Sequence, residues 1–106
     1  MDKYIIVKVL CDKVEVKDSI INSVLKEYLV AGCQTYECKS KYFWNNEIEQ
    51  ANEYLIEMRT KLSKFNMIEK IVKENHDYEV CEISYVEILG ANKEFLDWID
   101  SVIENK

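Results

Sequence analysis

The sequence has 106 residues and a formal net charge of −6, with 48% hydrophobic and 32% charged residues. This length suits one domain with a modest core, and we expect a single domain over residues 1–106. The negative charge argues against nucleic acid and anionic membrane surfaces as partners, because both attract clustered Lys and Arg side chains.

The apolar run near the amino terminus, residues 4–10, is interrupted by Lys8 and is too short for a signal peptide or a membrane-spanning helix. We therefore expect a cytoplasmic protein, in which thiols stay reduced. The cysteines lack the C-x-x-C spacing of zinc fingers and thioredoxins, so buried free thiols are the default expectation for Cys11, Cys33, Cys38 and Cys81.

The first two predicted elements are a strand and a helix. Residues 3–10 are nearly all apolar or β-branched, which indicates a central strand buried on most of both faces. Asp12 is the expected cap of an amphipathic helix of about four turns, ending near Ala31-Gly32, where glycine suits a left-handed cap. Its apolar positions are Val16, Ile20, Ile21, Val24, Leu25, Tyr28 and Leu29.

A long hairpin follows. From Cys33 the pattern has a period of two, as in a strand with one buried and one wet face. Asn45-Asn46 predicts the turn, because asparagine tolerates positive φ. The residues that share one face of the first arm are Tyr36, Cys38, Ser40, Tyr42 and Trp44.

The second half repeats the order of helix and strand. Thr60 is the expected cap of a helix that ends around Glu74-Asn75, and a strand runs from Val80 to Leu89. Asn92 is the expected cap of a last helix, which places Phe95, Leu96, Ile99, Val102 and Ile103 on one side.

The predicted fold is α+β: a ferredoxin-like β-α-β-β-α-β sandwich with an extra C-terminal helix. Two helices cover one sheet face, yet apolar side chains occupy both faces of the first and last strands. Apolar sheet surface of this extent indicates a further chain, so we expect self-association. The aromatic residues in excess are Tyr36, Tyr42, Trp44, Tyr54 and Tyr85.

Several stretches resemble the CutA family, whose members are described as involved in divalent cation tolerance. The family's L-A-A-C, Y-W-W…K-I-E, I-K-T-R, H-P-Y-E-V-P-E-I and Y-L-x-W-L motifs have counterparts, in the same order, over essentially the whole chain. These counterparts are residues 29–33, 42–49, 58–61, 76–83 and 95–99. The chain departs from the histidine motif at Asp77 and Cys81, where the family has proline.

The resemblance implies a ferredoxin-like subunit in a tight homotrimer, with clefts between subunits near the histidine motif. It also implies a role in tolerance of, or response to, divalent metal ions such as copper. The trimer's similarity in shape to the PII signalling proteins is an analogy.

His76, the only histidine, is the leading candidate metal ligand, because neutral imidazole binds copper and zinc well. The alternative for His76 is a purely structural role. Cys33, at the family's cysteine position, is a candidate soft ligand for Cu(I), against the alternative of a small buried hydrophobe. Cys38 is expected on the opposite strand face from Cys33, whereas Cys81 is close enough in sequence to His76 to share a site.

The remaining candidates surround the same junction. Glu79 is a candidate partner that orients the imidazole, and Tyr78 is expected in the cleft or in a subunit contact. Arg59 and Lys61 flank a helix start and are candidates for attracting an anion. The expected subunit contacts are Tyr42, Trp44 and Trp98.

No enzyme motif is present, since the histidine has no G-x-S-x-G elbow or Cys-His-Asn arrangement to serve and two glycines cannot build a phosphate loop. We therefore expect a non-enzyme. Three hypotheses stay open: a trimer binding copper or another divalent ion at sites that include His76, a PII-like sensor or scaffold binding a small anion, and an assembly module without a ligand.

Overall fold

The computed structural model describes residues 2–104. The predicted domain, 1–106, thus includes residues 1, 105 and 106, which lie outside the described residues. In chain order the elements are β1 (Tyr4–Cys11), α1 (Val14–Lys26), β2 (Gly32–Trp44), β3 (Glu47–Lys61), α2 (Phe65–Asn75, after the 3₁₀ turn Leu62–Lys64), β4 (Ile83–Glu87) and α3 (Lys93–Ile103).

The four strands form one antiparallel sheet in the order β2-β3-β1-β4. The predicted α+β class, with the β-α-β-β-α-β order and an extra C-terminal helix, is confirmed. The long hairpin is also confirmed: Trp44 pairs with Glu47, and the turn residues Asn45 and Asn46 have φ of 52° and 65°.

One face of the sheet, here called the helix face, carries the core. Alternate residues of β1 point to it and are fully buried against α1 and α2, whereas the residues between them are only half-buried. β1 lies inside the sheet between β3 and β4, and none of its residues is fully exposed, which agrees with the prediction of a central strand buried on most of both faces. The core side chains on these three elements are Ile5, Val7, Val9, Cys11, Ile20, Val24, Ile68 and Val72.

The opposite face, here called the open face, is covered at one end by α3. The carboxylate of Asp100 accepts hydrogen bonds from the hydroxyl of Tyr4, at 2.9 and 3.0 Å, and lies 2.5 Å from the ammonium of Lys61. Tyr4 and Lys61 are paired neighbours on β1 and β3, so one carboxylate fastens α3 to both central strands. The Lys61 ammonium holds the pKa of Asp100 below its ordinary value of 3.8.

The end of α1 differs from the prediction. The helix ends at Lys26, and Tyr28, with φ of 57°, takes the left-handed conformation expected of glycine. Gly32 instead begins β2, where an added Cβ would lie 3.0 Å from the indole ring of Trp98. The small size of glycine thus suits the close approach of the Trp98 ring, and Gly32 does not form a helix end.

The predicted caps are mostly wrong. Lys13, not Asp12, precedes α1. Thr60 lies within β3, fully buried, and its hydroxyl donates a hydrogen bond to the carbonyl of Leu29 at 2.6 Å. Asn92 does precede α3 as predicted, but its side chain makes no capping hydrogen bond.

The last strand is shorter than predicted, because residues 76–82 have no regular structure and β4 covers Ile83–Glu87 alone. This irregular segment contains the histidine motif.

We expect Asp100→Asn to lower the free energy of unfolding by about 1 kcal/mol near neutral pH, because it removes a partly screened, charged acceptor. The folded-state pKa of Asp100 is depressed, so this contribution is present above about pH 3.8 and is lost as the pH falls through the folded-state value. Urea denaturation at about pH 6 and about pH 3 measures the contribution of Asp100 to the free energy of unfolding and its loss at low pH.

Asp97→Asn is the matched control on the same helix, because Asp97 pairs with Lys93 across exposed surface, where ion pairs contribute little. An equal loss in both variants, or a loss for Asp100→Asn that does not shrink at low pH, would contradict the role given to Asp100.

Candidate functional site

His76 anchors the irregular segment 76–82 to the end of β1. Its Nε2 lies 2.6 Å from the carbonyl oxygen of Leu10, its Nδ1 accepts the backbone N–H of Tyr78 at 3.1 Å, and its side chain is 1% exposed. A nitrogen that accepts an N–H carries no proton, so these contacts assign the neutral tautomer with the proton on Nε2. The imidazole thus donates to Leu10 and accepts from Tyr78.

Tyr78 attaches the same segment to β3. Its ring centroid lies 4.6 Å from that of His76, and its hydroxyl donates a hydrogen bond of 2.7 Å to Glu53. Glu53 is only 5% exposed. Burial, followed by the hydrogen bond to Glu53, raises the pKa of Tyr78, so the phenol stays protonated and keeps donating.

An ion pair attaches the segment to the loop before α1. The ammonium of Lys13 contacts the carboxylate of Asp77 directly and lies 3.6 Å from Asp12. Lys13 lowers the pKa of Asp77, and Asp77 raises that of Lys13. Asp77 Oδ1 also lies 3.7 Å from Nδ1 of His76, so a carboxylate oxygen stands beside the unprotonated ring nitrogen.

Two hollows flank the segment. The first, here called the His76 depression, has a volume of about 420 Å³ and is lined by Lys73, His76, Tyr78, Glu79, Val80 and Cys81. The second, here called the Glu53 cleft, has a volume of about 510 Å³ and is lined by Leu10, Ser40, Lys41, Tyr42, Trp44, Glu53, Tyr78 and Glu82.

The structure brings together two of the three predicted metal ligands. His76 and Cys81 both line the His76 depression. Cys33 pairs with Met58, which pairs with Val7, so within one chain it lies two strands away from β1 and on the order of 10 Å from the level of Leu10. Burial raises the pKa of the Cys33 thiol to about 11, which keeps it protonated at neutral pH.

The described part of a single chain does not supply a complete set of metal ligands. Among residues 2–104, no group of three or more His, Cys, Asp or Glu side chains is arranged to hold a metal ion. The donors on this side of the molecule are Nδ1 of His76, the thiol of Cys81 and the carboxylates of Glu79 and Asp77, the last of which is engaged by Lys13.

The other predicted residues have specific places. Glu79 lines the depression, but the imidazole bonds to Leu10 and Tyr78, so Glu79 does not orient it in this structure. Arg59 lies on β3 and contacts Glu57 at 3.5 Å. Lys61 directly precedes the 3₁₀ turn, as expected, but Asp100 binds its ammonium, and an anion would have to displace that carboxylate.

The predicted subunit-contact residues are exposed in the single chain. Tyr42 is 41%, Trp44 37% and Trp98 43% exposed. Tyr42 and Trp44 lie on the open face of the hairpin, while Trp98 covers Gly32. Cys38, on the open face, and Cys33, on the helix face, are on opposite sides of the sheet as predicted.

Glu53 was not identified from the sequence, whereas Cys11 is a buried free thiol as predicted. Glu53 pairs with Cys38 and lies on the same side of the hairpin. Counting every second residue along the strand from the turn would have placed Glu53 on this face. Cys11 directly follows the residue that binds His76, but it is fully buried, and burial raises the pKa of its thiol to about 11.

Comparison with known proteins identifies the family. A family model described as "CutA1 divalent ion tolerance protein" matches residues 5–102. The chain belongs to the CutA1 family. The resemblance found in the sequence motifs is therefore confirmed.

Similar proteins cover most of the chain. A divalent-cation tolerance protein CutA from Archaeoglobus fulgidus is 33% identical over 90 residues, which are 85% of this chain and 88% of that protein. A probable divalent-cation tolerance protein cutA homolog from Encephalitozoon cuniculi is 34% identical over 82 residues, 77% of this chain and 72% of that protein.

Solved structures agree with the fold. A structure of the periplasmic divalent cation tolerance protein CutA from Archaeoglobus fulgidus superposes with a TM-score of 0.89 at 30% identity, covering 97% of this chain and 99% of that one. A crystal structure of CutA1 from Oryza sativa superposes with a TM-score of 0.89 at 27% identity, covering 94% of this chain and 93% of that one. None of the helices within residues 2–104 is long and apolar enough to cross a membrane.

We expect Tyr78→Phe to lower the free energy of unfolding by about 1–3 kcal/mol, because it removes the hydrogen-bond donor to the buried carboxylate of Glu53. Urea denaturation near neutral pH measures the loss. Tyr28→Phe, which removes a hydroxyl from a tyrosine that is 43% exposed, is the control and should change stability by less than about 0.5 kcal/mol. Equal effects would contradict a structural role for the Tyr78–Glu53 bond.

Proposed function

We propose that this protein acts in divalent cation tolerance, as a homotrimer that binds copper or another divalent ion at sites that include His76. The observation that carries the proposal is the match of residues 5–102 to a family model described by that function. The matched relatives from Archaeoglobus fulgidus and Encephalitozoon cuniculi have the same function in their names.

The contacts of His76 support a role as a metal ligand through Nδ1. Metal-binding histidines commonly donate the other ring N–H to a carbonyl or carboxylate, which fixes the tautomer and the ring orientation. The Nε2 contact to Leu10 is of this kind. A metal at Nδ1 has to displace the hydrogen bond that Nδ1 accepts from the backbone N–H of Tyr78 at 3.1 Å.

Cys81 is the proposed second ligand, since it lines the same depression. An imidazole nitrogen and a thiolate suit copper, and a thiolate suits Cu(I) in particular. Two donors per chain are too few for a closed site, which favours sites shared between copies. Cys33 remains a proposed ligand only as a contribution from a neighbouring chain.

The exposed apolar and aromatic side chains support the trimer. Among those on the hairpin tip, Phe43 is 77% and Ile48 60% exposed, and Val86 on β4 is 48% exposed. Apolar surface of this kind on a soluble domain marks an interaction site. We propose that the hairpin, including Tyr42 and Trp44, and Trp98 contact neighbouring copies.

We also propose that the protein has no catalytic activity and that it works in the cytoplasm. The first follows from a site built of ligands and hydrogen bonds without an activated nucleophile. The second is consistent with Cys11, Cys33, Cys38 and Cys81 being free thiols, because thiols stay reduced in the cytoplasm.

Native mass spectrometry of the reduced protein, titrated with Cu(I) and with zinc, tests this function. We expect a trimer that takes up metal in multiples of three. His76→Gln is the decisive variant, because the glutamine amide can still donate to Leu10 while the Nδ1 ligand is lost. We expect its metal affinity to fall about tenfold or more.

Cys81→Ser should weaken Cu(I) binding, and Cys38→Ser, which changes a half-buried cysteine outside the depression, is the matched control. Undiminished binding by His76→Gln would contradict the role of His76. A monomer in solution would contradict the trimer independently of the metal.

A further inference from the structure

The two helices on the helix face carry an exposed apolar cluster that the proposed function does not use. Leu25 and Tyr28, at the end of α1, are 40% and 43% exposed, and Met67, near the start of α2, is 50% exposed. The proposed subunit contacts on β2 and α3 lie on the open face, on the other side of the sheet, and the hairpin tip is at the far end of β3. The cluster is therefore separate from those contacts.

Hydrogen bonds show that these side chains lie at the same end of the helix pair. Ser19 in α1 bonds to Asn75 at the end of α2, and bonds between the end of β3 and residues 29–31 place the chain leaving α1 beside the chain entering α2. The helices thus run antiparallel. Counted from the Ser19–Asn75 contact, Leu25 lies about 9 Å along α1 and Met67 about 12 Å along α2, at about 1.5 Å per residue. The two side chains are therefore at a similar level on adjacent helices.

Tyr28 has a backbone conformation that tyrosine rarely adopts. Its φ is 57°, and its N–H and that of Leu29 donate to the carbonyls of Leu25 and Val24 at 3.0 and 3.1 Å, which is the Schellman ending of a helix. Glycine usually occupies this position, because a Cβ is strained there. Strained backbone is concentrated at functional positions. An exposed aromatic residue at this position therefore indicates a role for its side chain outside the fold.

The same surface carries positive charge in an acidic chain. Lys26, Lys64 and Lys70 make no ion pair within residues 2–104. Two carboxylates lie at the same end, Asp2, which the 3₁₀ turn binds, and Glu27, so the lysines outnumber them. Lys64 directly precedes α2, where the helix dipole disfavours a cation, so helix stability does not account for it. The residues of this surface, here called the outer patch, are Leu25, Lys26, Tyr28, Lys64, Met67 and Lys70.

This combination of side chains suits an acidic segment of another protein. The lysines are complementary to carboxylates, and the apolar side chains between them can contact apolar side chains of the segment. Methionine adapts its shape to a partner. An anionic membrane fits less well, because it meets a whole side of a protein whose net charge is −6, whereas a peptide contacts the patch alone.

We propose that the outer patch binds a short acidic peptide segment of a partner protein, with apolar side chains of the segment between its carboxylates. The apolar side chains of the segment pack against Leu25, Tyr28 and Met67, and the lysines bind its carboxylates. This interaction goes beyond the proposed function and does not depend on the metal site.

Fluorescence anisotropy of a labelled peptide, with the assembled, full-length protein, tests the proposal. The probe is a peptide of sequence DELFDELD, and its matched controls are the charge-reversed KRLFKRLK and the serine-substituted DESSDESD. We expect the probe to bind with a dissociation constant of about 0.1 mM or below, and each control to bind about tenfold or more weakly. Binding of the probe should weaken as salt is added.

Two variants remove different parts of the patch. Tyr28→Gly removes the aromatic ring and relieves the backbone strain, so it should weaken binding about tenfold without lowering the midpoint of urea denaturation. Lys70→Glu reverses one charge on an exposed helix position and should also weaken binding about tenfold or more. Val14→Gln changes a side chain that is 43% exposed at the other end of α1, and this control should bind as the parent does.

The proposal is overturned by absence of probe binding up to about 1 mM, by equal binding of either control peptide, or by undiminished binding to Lys70→Glu. If Tyr28→Gly lowers the urea midpoint, Lys70→Glu decides the question alone. A change in oligomer mass for Tyr28→Gly, seen by native mass spectrometry, would make the patch a contact between copies instead. Binding to phosphatidylserine vesicles in place of the peptide would make it a membrane contact.

Discussion

The contact between the imidazole of His76 and the carbonyl of Leu10 fixes the position of residues 76–82, on which the proposed function depends. Residues 76–82 have no helix or strand of their own, so their position comes from side-chain contacts alone. His76 holds the segment to β1, Tyr78 holds it to Glu53 on β3, and Asp77 holds it to Lys13. The His76 depression and the Glu53 cleft both have walls that these three contacts position.

This constraint also determines which chemistry is available. Because Nε2 donates its proton to Leu10, the unprotonated nitrogen is Nδ1, and it lies beside Asp77 and in the same depression as Cys81. A lone histidine in solution exchanges its proton between the two nitrogens, whereas this one is held in one tautomer before any ligand arrives. The His76 ring is therefore already oriented when the protein has folded.

Much of the fold was predictable because it follows from alternation and from turn chemistry. The period of two after Cys33 and the Asn45-Asn46 turn define the hairpin, and the order of elements defines the topology. The caps were not predictable: Thr60 looked like a helix cap, yet a tertiary hydrogen bond to Leu29 places it in a strand. Gly32 looked like a helix end, yet it begins β2, where its small size accommodates the ring of Trp98.

The site was predictable only in part, for a physical reason. The histidine motif identified His76, Tyr78 and Cys81, because their residue types carry the chemistry. Its partners are a backbone carbonyl, which no side-chain pattern reveals, and Glu53, which lies far away in sequence and is brought near by strand pairing. Long-range pairing of this kind depends on register, and a single sequence gives register poorly.

The most direct test of the account is the tautomer of His76, measured by ¹⁵N–¹H correlation spectra of protein labelled at histidine. The chain contains one histidine, so each ring nitrogen gives a single signal. We expect that in metal-free protein the imidazole carries its proton on Nε2, protected from exchange, and that Nδ1 is unprotonated. A proton on Nδ1, or rapid exchange between the two nitrogens, would contradict the anchoring of this segment by Leu10.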